Sequence, residues 1–441
     1  MIFNSLQYLK PIWCFNLKPS NDFGYFPTEN QLKLLGISVE KDTNYEDSKA
    51  QEHDLAWTAF QSGFINKEYK EGVNVWENIS FSTADEYRFL RKNFHKAWVY
   101  YVLFLRLITF KNPFKEIAGF FKNRNVKRVD YSKNVIDNRD YENFESQLVA
   151  SKPFISVVIP TLNRYEYLKD VLRDLENQTY KNFEVIIVDQ TDAFREDFYK
   201  GWKFDLKYWF QEEKALWRAR NEAIQSAKGD YILLYDDDSL VEPNWIEEHL
   251  KCLDYFQADL SSGVSISTVG AEVPKHYSYF RWSDQLDTGN VLLKKSIFTE
   301  IGFFDRQFEK QRMGDGEYGL RAYLNGYKNI SNYKAKRIHL KVSEGGLRQM
   351  GSWDGWRPKK LLGPRPVPSV LYLSRKYFGN HLSRFYILHS ILPSLVPYQL
   401  KGNRFLKMFF FILMPFLFPL VCYQVLKSWK LASQKIKEGM I

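Results

Sequence analysis

Cysteine is scarce. Cys14, Cys252 and Cys422 are the three in 441 residues, far apart, odd in number and without metal-ligand spacing. That usage argues against a disulfide framework and for a reducing compartment. The opening residues, MIFNSLQYLKPIW, have no continuous apolar core followed by a small-residue cleavage site, so no secretory signal is expected. The sequons Asn78-Ile79-Ser80 and Asn329-Ile330-Ser331 are accordingly read as chance matches. Residues 1–150 show neither a repeat nor a low-complexity tract. Acid is in deficit: 52 Asp and Glu against 62 Lys and Arg give a net charge of +10, which suggests a nucleotide, nucleic acid or acidic membrane surface as partner.

What is present begins with length, enough for two or three domains and ample core. Hydrophobic residues make up 45% and charged residues 26%, an ordinary globular balance, but aromatics reach 17%. Three regions are expected: 1–150, of no assigned role; 151–350; and a helical region, 351–441. Within the first, Ala97–Phe110 (AWVYYVLFLRLITF) is too short for a bilayer span, which needs ~20 residues. A buried helix is the preferred reading and an interfacial membrane helix the alternative. The polar run Lys122–Ser151 reads as a linker.

In the middle region strands and helices alternate, the mark of a doubly wound α/β sheet. Strands are expected at Ile155–Ile159, Phe183–Val188, Leu206–Phe210 and Tyr231–Tyr235. A helix capped by Asn163 should carry Leu168, Val171, Leu172 and Leu175 on one face, and Arg218–Ala227 should form another. Tyr231–Tyr235 stops at three carboxylates, Asp236, Asp237 and Asp238, at the strand edge where ligands of such sheets bind. Two readings stand: a divalent-cation site, or a solvated turn capping a helix that starts near Pro243.

The segments PFISVVIPT with Asn163-Arg164, VIIVD ending at Asp189, Ala219-Arg220-Asn221, and Gly229–Asp238 resemble, in order and spacing, the nucleotide-binding half of family-2 inverting glycosyltransferases with a GT-A fold. The likeness continues through Thr288-Gly289-Asn290, Gly302–Asp305 and Gly314–Arg321, covering about residues 153–345. It divides the middle region into a nucleotide-binding half (153–240) and an acceptor half (241–350). The resemblance implies that Pro160 and Thr161 wall the nucleotide with Asn163, that Asp189 accepts from the base, and that Arg220 lies near the nucleotide. Asp236 would contact ribose or metal-bound water, Asp237 would lie on the donor side, and Asp238 would ligate Mn²⁺ or Mg²⁺; His339 either completes the metal site or is a structural residue of its strand. Asp315 becomes the catalytic base, with an N-cap as its structural alternative; Gly314 stands where the family has Glu, and Glu317 follows on the acceptor side. Gly289 and Asn290 also fall there, as do Trp282 and Asp284, for which a solvated loop is the preferred reading. Gly345-Gly346-Leu347-Arg348 reads as a lid or a plain turn. Gln190 replaces a usual acid after Asp189.

A pyrophosphorylase of similar sheet would need a Gly-rich loop after the first strand, and Pro160–Arg164 has no glycine. The activity that the resemblance implies is transfer from a nucleotide-diphosphate sugar, UDP-linked, to a saccharide or lipid-linked acceptor. The alternative is a catalytically silent nucleotide-sugar-binding or membrane scaffold. Nucleic acid is not among the expected partners. Met408–Leu426 is nineteen residues without a charge, holding Pro415 and Pro419 and flanked by basic residues. It reads as a re-entrant or in-plane anchor within 404–430 on the cytoplasmic face of the cell membrane, with a single span as the alternative. Tyr386–Leu400 is a candidate for the same surface.

Overall fold

The computed structural model describes residues 1–67, 72–267, 272–342, 346–347, 354–396 and 404–441. Two compact units divide the chain. One comprises Met1–Arg139, Tyr279–Trp282 and Phe378–His389, the other Asp140–Ser278, Ser283–Tyr377 and Ser390–Ile441.

Aromatic rings dominate the core of the first unit. Helices Ser48–Gln61, Thr83–Asn93, Lys96–Ile108 and Pro113–Lys122 start on capping side chains where the local sequence supplies them: Asp47, Ser82, His95 and Asn112 each accept from a first-turn N–H. Rings fill the space between them. Phe3 stacks on Phe89 with centroids 4.0 Å apart, and Phe26 stacks on Phe60 at 4.9 Å. The 97–110 segment forms the expected helix but is only half buried: Val99, Val102 and Leu105 point inward, whereas Tyr100, Phe104 and Ile108 are exposed. Trp282 belongs to this core. It is buried edge-on to Tyr25 at 4.6 Å, which corrects both the acceptor-side and the solvated-loop readings.

The second unit is built on a mixed sheet. Its strands in chain order are β1 (Ile155–Thr161), β2 (Phe183–Asp189), β3 (Asp205–Phe210), β4 (Tyr231–Tyr235), β5 (Ser239–Val241) and β6 (Leu260–Ser267), then, past the two-residue β7 (Arg281–Trp282) of the first unit, β8 (Asn290–Lys294) and β9 (Asn329–His339). The spatial order is β3-β2-β1-β4-β8-β6-β9-β5. β1 pairs in parallel with both β2 and β4, while β8 runs antiparallel to β4. The chain thus moves outward from β1 to β2 and β3 and returns to β4 on the other side, leaving a topological switch between the carboxyl ends of β1 and β4. β1 and β2 are buried along their whole length, as uninterrupted apolar runs require. Leu168, Val171, Leu172 and Leu175 of helix Tyr165–Glu176 are fully buried, as their spacing predicts.

Three local expectations are corrected. Asn163 does not cap that helix. It sits at φ 53° one residue before the Arg164 N-cap, and its amide exchanges hydrogen bonds with Asp192. Asp236–Asp238 do not cap a helix either, because β5 follows them and the next helix starts at Trp245. Asp315 is not an N-cap: helix Gly314–Leu324 begins one residue earlier, on Met313 at φ 83°.

Helix Arg404–Glu438 runs through Pro415 and Pro419. Among the described residues no helix is long and apolar enough to cross a membrane. The anchor reading of Met408–Leu426 falls in part on side chains outside the described set, as do residues 397–400 of the Tyr386–Leu400 stretch. Gly345 and Arg348 of the expected lid also lie outside the described residues.

Candidate active site

Where β4 gives way to β5, the backbone turns and spreads three carboxylates that each meet an arginine. Asp236 accepts from Arg220 Nη2 and from Arg337 Nη1, both at 2.9 Å. Asp237 accepts from Thr161 Oγ1 and Arg164 Nη1, both at 2.8 Å. Asp238 lies 3.1 Å from Arg164 Nη1 and 3.3 Å from His339 Nε2. The neighbours exist because of register: β5 pairs antiparallel with β9 so that Ser239 faces His339, and Leu340 N–H donates to the Asp238 carbonyl. Among the described residues, Asp236, Asp238 and His339 bring one ligand atom each to within 4.8 Å of one another. Two carboxylate oxygens and an imidazole nitrogen at that spacing fit a hard or borderline divalent cation.

Burial and charge act in opposite directions on the acids. Burial pushes Asp237 up to about 6 against the pull of the Arg164 guanidinium. Burial also works against the Asp238 carboxylate, but the His339 hydrogen bond and the nearby Arg164 hold it below the ordinary aspartate value.

Arg337 went unassigned in the sequence. It is almost wholly buried and places all five of its N–H donors: Nε on Ser265 Oγ (2.7 Å), Nη1 on Ser239 Oγ (2.7 Å) and Asp236, and Nη2 on both oxygens of Asp287 (3.1 and 2.9 Å). It fixes Asp236 and ties β9 to the segment before β8. The signal was there, since Arg337 stands two residues before His339 and so shares its strand face. Arg164, quoted only as part of a motif, also donates to the Val342 carbonyl at 3.3 Å, linking the acids to the chain just past β9. Gly346 closes the same corner, its N–H donating to the Leu162 carbonyl at 2.7 Å with φ +81°.

The other expected residues divide. Pro160 and Thr161 end β1 at the switch, with Thr161 held by Asp237. Asp189 ends β2, but it is fully buried: Tyr165 and Tyr199 donate to Oδ2 (2.6 and 2.7 Å) and Thr191 N–H to Oδ1 (2.8 Å). A base would have to meet Oδ1. Gln190 works structurally, its Oε1 accepting from Ala215 N–H. Arg220 is fully buried behind Asp236, where it also donates to the Thr288 carbonyl, so it positions an acid instead of lying open to a nucleotide. Gly289 is required by close approach: a Cβ there would lie 2.1 Å from Asp236 Oδ2 and 2.3 Å from Arg337 Nη1.

Asn290 does not face an acceptor. It is fully buried, donating to the Val264 and Ala335 carbonyls and accepting from Trp245 Nε1 and His249 Nε2. Glu317 is likewise buried, held by Arg321 at 2.9 Å and by the Tyr377 hydroxyl. Asp284 is half-buried. Asp315 is half-buried in the first helical turn, its Oδ1 accepting from Gly316 N–H at 2.8 Å. The departure at Gly314 has a steric cause, because a Cβ there would lie 2.3 Å from the Trp217 indole.

Comparison with known proteins places this geometry in a lineage. The sequence profile described as Glycosyl transferase family 2 matches residues 156–308, from β1 to the turn at Phe308. Glycosyltransferase GlyA of Streptococcus pneumoniae is 27% identical over 240 residues, 52% of this chain but only 31% of GlyA. Putative glycosyltransferase EpsH of Bacillus subtilis is 33% identical over 274 residues, 57% of this chain and 79% of EpsH. Among solved structures, residues 1–349 of S. aureus TarS in complex with UDP-GlcNAc align over 65% of this chain and 92% of that one, with 16% identity and a TM-score of 0.42. On the profile match and the extent of EpsH that it shares, this chain belongs to glycosyl transferase family 2.

Proposed function

We propose that the chain is a metal-dependent, inverting glycosyltransferase that takes a nucleotide-diphosphate sugar, UDP-linked, and passes the sugar to an acceptor hydroxyl. The observation that carries this reading is the Asp236–Asp238–His339 cluster at the carboxyl edge of β4, beside the β1/β4 switch. Asp238 and His339, with Asp236, would hold Mn²⁺ or Mg²⁺. Bound there, the ion supplies Lewis-acid stabilisation to the departing diphosphate. Arg337 and Arg220 keep Asp236 in place, and Thr161 and Arg164 do the same for Asp237. Asp189 Oδ1 reads the base. Asp315 takes the proton from the attacking hydroxyl on the face opposite the leaving group, and displacement in one step inverts the anomeric carbon.

The names of GlyA and EpsH support sugar transfer, and the acceptor we assign is a growing cell-surface saccharide or a lipid-linked one. The charge-free run Met408–Leu426 anchors the chain to the cytoplasmic leaflet in this reading. Calorimetry with UDP-sugars and Mn²⁺ tests the donor site: Asp238→Ala should abolish metal-dependent binding, and unchanged affinity would place the cation elsewhere. Asp315→Asn should bind donor normally but transfer about 100-fold more slowly or worse. A silent scaffold predicts donor binding without transfer in the wild type as well.

A further inference from the structure

The helical hairpin of the first unit carries an apolar face that the catalytic reading does not use. Helix Lys96–Ile108 turns Val99, Val102 and Leu105 inward and presents Tyr100, Phe104 and Ile108, at i, i+4 and i+8, to solvent. Helix Pro113–Lys122 buries Glu116, Gly119 and Phe120 and exposes Phe114 and Phe121, one heptad apart. Between them Phe110 is 96% exposed and Phe114 83%, more than any other phenylalanine among the described residues. Phe110 also sits at φ 58°, a left-handed conformation that a bulky side chain adopts at a cost and that Gly or Asn would adopt more readily. A soluble surface rarely groups apolar side chains this way unless something covers them.

The charges around the face indicate what covers it. Between Lys96 and Arg128 the sequence has a single acid, Glu116, and it is buried against Arg106 and the Tyr87 hydroxyl. Lys96, Lys111, Lys115, Lys122 and Arg124 are all exposed. Aromatic side chains at a helix–turn–helix tip, rimmed by cations of one sign on long flexible stems, match the boundary of an anionic bilayer, where rings enter the headgroup region and lysines reach the phosphates.

We propose that the hairpin Lys96–Lys122 is a membrane-docking element that inserts Phe110 and Phe114 into the interface of a bilayer containing anionic lipid. It is independent of the donor site and of the C-terminal run, and its test must read this position alone. In the full chain, Phe110→Cys on a Cys422→Ser background carries an environment-sensitive fluorophore; Cys14 and Cys252 are buried. Vesicles of phosphatidylcholine with phosphatidylglycerol should shift the emission to the blue, and pure phosphatidylcholine should do so much less. Phe104→Ser with Phe114→Ser, read through the same label, should weaken that response about 100-fold, roughly tenfold for each ring. A label that stays at its aqueous emission while the protein sediments with vesicles would overturn the proposal, leaving only attachment elsewhere. So would a shift that appears without vesicles and grows with protein concentration, which would make the face a contact between copies.

Discussion

Arg337 is the residue on which the geometry of the acids depends most. Its five donors are all used, and two of them form a bidentate pair with Asp287. Lysine keeps the charge but lacks the planar fork, so Arg337→Lys would leave Asp236 or Asp287 under-partnered in a buried place. Urea denaturation should show a loss of about 3 kcal/mol with an unchanged m-value. Gly314 makes the opposite point, since the residue missing relative to the family is missing for want of room. Gly314→Ala should cost about 1–3 kcal/mol through overpacking on Trp217, and a Trp217→Leu partner change should recover part of it. Both residues show why roles were harder to read than identities. The Asp triplet, the Asp189 tip and His339 stand out as residue types at strand ends. Arg337 could be placed on the face of His339 by its spacing, but its partners, Asp287 among them, emerge only when β9 is laid beside β6 and β5, a pairing over long sequence separation.

At the scale of elements, the buried apolar strands were legible because β1, β2 and β4 have no exposed side to encode: the expected Tyr231–Tyr235 is β4, and the other parallel strands differ by one or two residues at an end. Element starts were less legible. Asn163 looked like a cap and is instead a left-handed joint to Asp192, while the short β5 intervenes between the three acids and the helix near Pro243 that they were read as capping. Helix Trp245–Phe256 is fastened to the sheet by His249, whose Nδ1 lies 2.9 Å from Ser261 Oγ and Nε2 3.0 Å from Asn290 Oδ1. Burial pushes this imidazole down to about 4. The unfolded chain therefore takes up a proton near pH 6.5 that the folded chain refuses until about 4, so stability present above 6.5 drains away as the pH falls between those values. The loss at the acid end is about 3 kcal/mol by that linkage. Comparing urea midpoints at pH 7 and pH 5 should show the drop, and His249→Gln should reduce it to the part contributed by groups such as His389, which burial likewise pushes down to about 4.

For the molecule as a whole, composition proved informative in kind but not in place. The aromatic excess is spread over both units; in the first, rings fill the space among short helices, and no periodic pattern announced that before the helices were assembled. The positive net charge does not come from the acid site, where four aspartates outweigh three arginines, but shows at places such as the exposed basic rim of the hairpin, a distinction that a single sum cannot make.

The arginines at the acid site have one more consequence. Counted together, Asp236, Asp237, Asp238 and Asp287 bring four negative charges, and Arg164, Arg220 and Arg337 return three, so the connected set carries about one negative charge, not four. A divalent ion arriving alone would overshoot neutrality beside three guanidiniums, and a diphosphate arriving alone would add to an already negative surface. Each neutralises what the other leaves behind. Mn²⁺ and UDP should consequently each bind weakly by titration and much more tightly as a pair, with equal coupling in either order of addition. Equal affinity for the ion with and without nucleotide would show that the arginines do not set the charge of the site.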